Sequence, residues 1–509
     1  MKHRSIKMAA IFVAVIIGAF ALAACGGNYY PDGGAGNPYY EMTGGDDYNE
    51  ITENPFVSAA EHPDSNISLT VNTAAYTQLK NYTKNGYDIP KGAVKIEEMI
   101  NYFSYDYGDP ADGEAFKMNA AVTDTPWNSE TKLLTVGMQA KRVSATDAAH
   151  NLVFLVDVSG SMSGEDRLGL AKKTFIKMLD VLDGNDTVSI VTYAGSVRTV
   201  LDGAKGNEKT EITKAINKLS AGGSTAGGSG IDEAYRCAFR HQTDNNNSRI
   251  IIATDGDFNV GASSADELKT LISENRSRGV YMSALGFGMG NLSDVNMQEI
   301  VNSGQGTYAF IDSLDEAYSL MSTGRIDSIL TVAAEEAKAQ LSFDPSTVDS
   351  YRIIGYENRL LTDEEWEDNT TPAGAIAGGT TVTAVYELKL KSGGSGNVAD
   401  FTTKYYEPRG KVEQTRTLVI DSSFINAADG KDCYIKSADS GFIAAVVEVG
   451  LVLRNSAYKG EASLERVLDR LDPHETDNFR AEFRSIVTTL KDEYVPSGDE
   501  DTSYCYVHK

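Results

Sequence analysis

The sequence predicts an α/β fold: a doubly wound parallel sheet with one antiparallel edge strand, inserted in a flanking β-sandwich-like domain that ends in helices. Three observations predict it. From 147 to 325, short apolar runs alternate with runs of helical period, the pattern of a parallel sheet covered by helices on both faces. Residues 152–156 and 250–253 are apolar almost without interruption, as strands buried on both sides are. Strand-like segments also stand on either side of this stretch, and helix-period runs follow the last of them.

The elements follow in order. Residues 118–122 and 132–139 read as strands, separated by a turn at Pro126, Trp127 and Asn128. Residues 152–156 form the first strand of the inserted domain. Leu168, Ala171, Phe175, Met178, Leu179 and Leu182 then share one helical face. Residues 187–193 are β-rich, and 196–201 return after Gly195 as the antiparallel edge. Helices at 210–219 and 230–240 precede the strand that ends near Thr254. The order continues as helix 264–277, strand 280–287, helix 294–301, strand 306–311 and helix 315–321. Strands are expected at 337–343, 350–356, 380–390, 401–406 and 416–420. Strands from before and after the insertion should join in one sandwich. At the end, Ala444, Val447 and Leu451 share one face, Leu464, Val467, Leu468 and Leu471 another, and a further helix covers 479–490. The acidic stretch 472–477 lacks the side-chain order of a Ca²⁺ loop and reads as a helix connection. Glu97 and Glu98 sit on a short amphipathic helix, where their carboxylates are expected to face solvent.

The amino terminus indicates a compartment. Lys2, Arg4 and Lys7 precede an apolar stretch, 8–21, that is short for a membrane span. It ends at Leu22-Ala23-Ala24-Cys25, which resembles a bacterial lipobox, with lipidation expected on Cys25. Residues 1–24 are then a signal peptide. Residues 25–58, rich in Gly, Asn, Tyr, Asp and Pro, read as a flexible spacer. The remaining divisions are 59–146, 147–325 and 326–509.

The chain has 46 Lys and Arg against 72 Asp and Glu, a net charge of −26. Such a balance argues against nucleic acid and anionic headgroups as partners. Besides Cys25 there are Cys237, Cys433 and Cys505. Cys237 is expected inside a helix, and whether Cys433 and Cys505 pair is left open by sequence. Neither a zinc spacing, nor a Gly-x-Ser-x-Gly elbow, nor a phosphate loop occurs.

The chemistry concentrates in three segments. Asp157-Val158-Ser159-Gly160-Ser161 follows an apolar strand with one carboxylate and two hydroxyls. Gly222-Gly223-Ser224-Thr225 precedes a helix, and Thr254-Asp255-Gly256-Asp257 ends a second buried strand. Oxygen donors of low total charge suit Mg²⁺, Mn²⁺ or Ca²⁺ and not zinc or copper. The first run resembles the Asp-x-Ser-x-Ser element of the metal-ion-dependent adhesion site of von Willebrand factor A (vWA) domains. Thr225 and Asp255 stand where that family has its loop threonine and last aspartate. The resemblance implies a Rossmann-like vWA fold and a metal held by Asp157, Ser159, Ser161, Thr225 and Asp255, with a partner protein's carboxylate completing the shell.

The flanks resemble YfbK-type vWA lipoproteins of bacteria. The resemblance rests on Asn72-Thr73-Ala74-Ala75-Tyr76, on 94–103, on 351–359, on 381–387 and on Tyr458-Lys459-Gly460. One departure is Ala375 and Thr380, where such proteins often carry a Glu and a His. The expected function is a lipoprotein of the bacterial cell envelope, anchored to a membrane through Cys25, that is not an enzyme and grips a protein through Mg²⁺ (or Mn²⁺ or Ca²⁺). A metal-assisted hydrolase with Asp257 or Glu165 as base, and an assembly scaffold that ignores the metal, are the alternatives.

Overall fold

The computed structural model describes residues 46–496 and 506–508, apart from 70, 144–147, 224–226, 257–264, 291, 322–324, 370, 372, 395 and 409–411. Its central sheet has six strands in the order Tyr308–Ile311, Val280–Phe287, Asn246–Thr254, Ala149–Asp157, Thr187–Tyr193 and Val197–Lys205. Neighbours are parallel except for the last pair, so Val197–Lys205 is the expected antiparallel edge. It is longer than the sequence implied, because Asp202 to Lys205, of which only Ala204 is buried, continue it and its pairing reaches Lys205. Helices Leu168–Met178, Gly227–His241, Ala265–Ser277 and Asp294–Gly304 lie between the strands in chain order. The inner strands are buried along almost their whole length, which is why they lack a polar face.

Two antiparallel sheets flank this domain. One runs in the order Val57–Ser58, Val348–Ile354, Thr381–Leu390, Lys132–Ala140, Phe116–Asp124. The other runs Leu360–Leu361, Asp64–Ser68, Ala334–Phe343, Asn397–Tyr406, Glu413–Asp421. Each therefore combines strands from before and after the insertion. Aromatic side chains fill the space between them: Phe343 stacks on Tyr351 with centroids 3.9 Å apart, and Phe116 meets Tyr405 at 4.5 Å. Each such buried ring contributes roughly 1.5–3 kcal/mol of transfer free energy. Helix Ser437–Leu453 is buried around nearly its whole circumference, as a helix apolar on all sides must be. The acidic connection serves the last helix, Asn478–Glu493, whose first N–H groups bond the Asp477 carboxylate.

Three features depart from the sequence reading. Strand Asp64–Ser68 and helix Ala74–Asn85 were not expected. The end of the proposed spacer lies against the body: Asp46 accepts the N–H groups of Gly290 and Leu292, each at 2.8 Å, and Asn54 donates to the Gly355 carbonyl at 2.9 Å. Glu98 does not face solvent. It is buried, accepting from Gln298 at 3.0 Å and from the Ala75 N–H at 3.2 Å.

Glu98 belongs to a polar seam between the flank and the central domain. Lys95 bonds Asp294, and Gln298 reaches Asp294 as well at 3.0 Å. Nearby, Lys80 pairs with Glu316 at 2.9 Å, and the Tyr102 hydroxyl donates to the same carboxylate at 2.8 Å. The last helix of the domain, Leu314–Leu320, is thus held to the flank by buried charge. Burial, against the opposing Lys95 charge and helped by the negative Asp294 and Glu97, pushes the Glu98 carboxyl from 4.5 up to about 7. A carboxyl whose folded value is raised binds more protons in the folded than in the unfolded state between those limits. Its stabilising contribution is therefore present below pH 4.5 and lost as pH rises through about 7. We expect stability to fall across that window with a slope of at most about 1.4 kcal/mol per pH unit from this group. Urea unfolding of the Glu98→Gln variant should show that slope flattened; an unchanged slope would assign it elsewhere.

Candidate metal centre

The chain turns away from strand Ala149–Asp157 toward one edge of the central sheet and later returns to build the other edge from Asn246–Thr254. These two strands are neighbours, with Val156 opposite Ala253. Their carboxyl ends form the switch point at which open α/β sheets hold ligands. Asp157 ends one strand and Asp255 follows the other. Both are buried, as is Ser159.

The first loop is tightly organised. One Asp157 oxygen accepts the Ser159 N–H at 2.8 Å, and the other accepts the Thr254 hydroxyl at 3.1 Å. The Ser159 and Ser161 hydroxyls are 2.9 Å apart. Backbone bonds tie the first loop to the second: Gly160 N–H to the Gly223 carbonyl at 3.0 Å, and Gly222 N–H to the Val158 carbonyl at 2.8 Å. The third loop turns at Gly256, with φ of 93°, and a Cβ there would lie 2.4 Å from the Ser293 nitrogen. Only glycine fits that turn and that close approach.

The structure thus gathers Asp157, Ser159 and Ser161 in one loop and sets Asp255 on the adjacent strand end. Thr225 lies outside the described residues, although the base of its loop, Gly222–Gly223, is stitched to the Asp157 loop. Cys25, Cys505 and Asp257 also lie outside them. Glu165, the other candidate base, is exposed and pairs with Lys173 at 3.1 Å. Cys237 is buried, as expected, and Cys433 forms no disulfide with a described residue.

Burial raises the Asp157 carboxyl above its ordinary range, and the nearby Asp255 charge adds to that, against the opposing Ser159 hydrogen bonds. Among the described residues, Asp157 has no Lys, Arg or His within ion-pair distance. Among them, too, there is no group of three or more His, Cys, Asp or Glu placed to hold a metal. Of the described donors at these strand ends, two are the hydroxyls of Ser159 and Ser161. The donor set fits a hard divalent ion: every described donor is an oxygen, and the buried Asp157 charge has no countercharge among the described residues.

One residue of the site carried no sequence signal. Arg167 donates to the Ser161 carbonyl at 2.7 Å and to the Met289 carbonyl at 2.9 Å. It clamps the first loop to the loop after Val280–Phe287. No periodicity marks a side chain that acts by bridging two backbones.

Comparison with known proteins now bears on the chain. Residues 151–322 match the von Willebrand factor type A domain, and 42–135 match a family described as von Willebrand factor. Residues 328–492 match the C-terminal region of a family described as uncharacterized protein YfbK. The YfbK protein of Escherichia coli (strain K12) is 33% identical over 466 residues, 86% of this chain and 80% of that protein. The chain belongs to the YfbK family. Inter-alpha-trypsin inhibitor heavy chain H4 of Homo sapiens is 28% identical over 152 residues, 28% of this chain and 16% of that protein. A solved von Willebrand factor type A protein from Catenulispora acidiphila is 16% identical, covers 77% of this chain and 92% of its own, and has a TM-score of 0.44. In this YfbK family member the vWA match covers all three candidate loops. The YfbK C-terminal match begins at 328, just before strand Ala334–Phe343 returns to the flanking sheets.

Proposed function

We propose that this protein is an envelope-anchored binding protein, not an enzyme, that grips a partner protein through a divalent cation. Asp157, Ser159, Ser161, Thr225 and Asp255 would hold the ion, with Mg²⁺ the favoured species. When bound, the ion supplies an electrophilic position that a partner's carboxylate can fill. The observation that carries this reading is the placement of Asp157 and Asp255 at adjacent strand ends, with two hydroxyls 2.9 Å apart beside them. Two carboxylates only balance the ion's charge and the hydroxyls add none, so the ion stays electrophilic; a cage of four would quench it. The role as an interaction module is also that of vWA domains generally.

Anchoring is proposed through Cys25, on the lipobox-like Leu22-Ala23-Ala24-Cys25. Two or three acyl chains hold a protein on a membrane far more firmly than one. Both halves can be tested together. Membranes carrying the tagged protein should co-purify a specific partner in Mg²⁺ and lose it in EDTA. The Cys25→Ser variant should fail to incorporate a clickable palmitate analogue. A partner retained equally in EDTA would defeat the metal-grip reading, and normal labelling of Cys25→Ser would defeat the anchor.

A further inference from the structure

Beside the metal loops lies an open groove of about 390 Å³. One wall is the turn Ala194–Gly195–Ser196 together with the start of the edge strand. The other is the segment after helix Lys209–Asn217, from Lys218 to Gly223. Its lining includes Val158, which follows Asp157, and Gly223, whose carbonyl receives the Gly160 N–H. Groove and metal loops therefore share backbone.

The charge of this groove runs against the rest of the molecule. Its lining contains Arg198 and Lys218 and neither Asp nor Glu, on a chain of net charge −26. Both cations are exposed, and neither side chain forms an ion pair or hydrogen bond with a described residue. Several other cations of the same domain are engaged: Lys177 with Asp180 at 2.8 Å, Arg236 with Glu233 at 3.0 Å, Arg240 with Asp202 at 3.1 Å. Val200, 38% exposed, adds an apolar contact on the edge strand.

We propose that this groove is the second half of the docking surface. It takes an acidic segment of the partner protein, one of whose carboxylates goes to the ion while another lies between Arg198 and Lys218. The proposal rests on the metal reading above and gives the partner a chemistry: an exposed segment with two acidic side chains, not one. On a strongly acidic protein such a segment is repelled almost everywhere else, so the groove contributes selectivity as well as attraction.

The test uses the full chain in detergent, with Mg²⁺, and labelled peptides bearing one Asp followed at several spacings by Glu or by Gln. Fluorescence anisotropy should show the Asp/Glu peptide at one spacing binding about five- to tenfold tighter than its Gln counterpart, more so at low salt. The variant Arg198→Glu/Lys218→Glu should lose that preference while still binding Mg²⁺ at least as tightly as the parent, measured by calorimetry. Equal binding of Glu and Gln peptides at every spacing, or binding of neither, overturns the groove. So does a preference that survives charge reversal. If the double variant instead loses binding to phosphatidylglycerol vesicles with no peptide preference in the parent, the groove reads lipid and the proposal fails. Absence of Mg²⁺ binding in the parent chain strikes the metal reading instead, a separate readout.

Discussion

Replacing Asp157 by asparagine is expected to lower Mg²⁺ affinity by about 100-fold or more, since losing even an outer-shell partner of a metal ligand commonly costs 10- to 100-fold. Asparagine is the informative choice. In the structure Asp157 is fully buried and accepts from both Ser159 and Thr254. Alanine would orphan those donors at about 1–3 kcal/mol and confuse misfolding with lost binding. Asparagine keeps the volume and the acceptor facing Ser159 while removing the charge. Without metal, the variant should melt no lower than the parent, because it no longer places a second carboxylate charge near Asp255. Adding Mg²⁺ should raise the melting temperature of the parent only. Calorimetry that finds the two affinities equal would remove Asp157 from the site.

The second large effect lies far from the metal. Arg352 and Glu387 face each other across neighbouring strands of the five-stranded sheet, 2.8 Å apart, with side chains 2% and 1% exposed. Glu387 also accepts from Thr131 at 2.8 Å and Asn128 at 3.2 Å, while the Arg352 guanidinium lies 4.2 Å from the Tyr458 ring centre. Glu387→Ala should destabilise the protein by about 3–5 kcal/mol, because it strands a buried cation. Replacing both partners with methionine should recover much of that loss, since the pair has already met its desolvation cost in the native state. Urea denaturation is the measurement. A midpoint for Glu387→Ala equal to that of the parent would show the ion pair to be energetically silent.

The central domain was legible because its signals are local. Apolar runs ending at Asp157 and Thr254 state both the strand and its carboxyl-end ligand, and Val280–Phe287 was delimited to the residue. What escaped depended on distant partners. Asp64–Ser68 reads Asp-Ser-Asn-Ile-Ser, with no strand character until Ala334–Phe343 pairs with it. Helix Ala74–Asn85 buries Gln78 and Lys80, which satisfy Tyr308, Asp294 and Glu316 of the inserted domain. A polar residue buried against a remote opposite charge looks, in one dimension, like a solvated one, and Glu98 was misread for the same reason. Among the described residues Arg167 bonds only carbonyls, which every residue possesses. All five proposed ligands come from motif; the structure describes Asp157, Ser159, Ser161 and Asp255, each at a strand end or the turn after it, and Thr225 lies outside the described residues.

The interleaved sheets impose a schedule on the nascent chain. Ser65 pairs with Leu341, and Leu133 with Glu387. At about 5–20 residues per second, the Asp64–Ser68 strand waits roughly 15–55 s after its own synthesis before its neighbour exists. Over that interval the inserted domain, whose strands pair only among themselves, can finish its core first. A completed insert is then expected to bring the two halves of the sandwich that flank it within reach of one another. Until then the early strands carry open edges, the condition most prone to mispairing. A truncation that ends just after the central domain, before strand Ala334–Phe343, should accordingly leave a sound core attached to an aggregating amino-terminal segment.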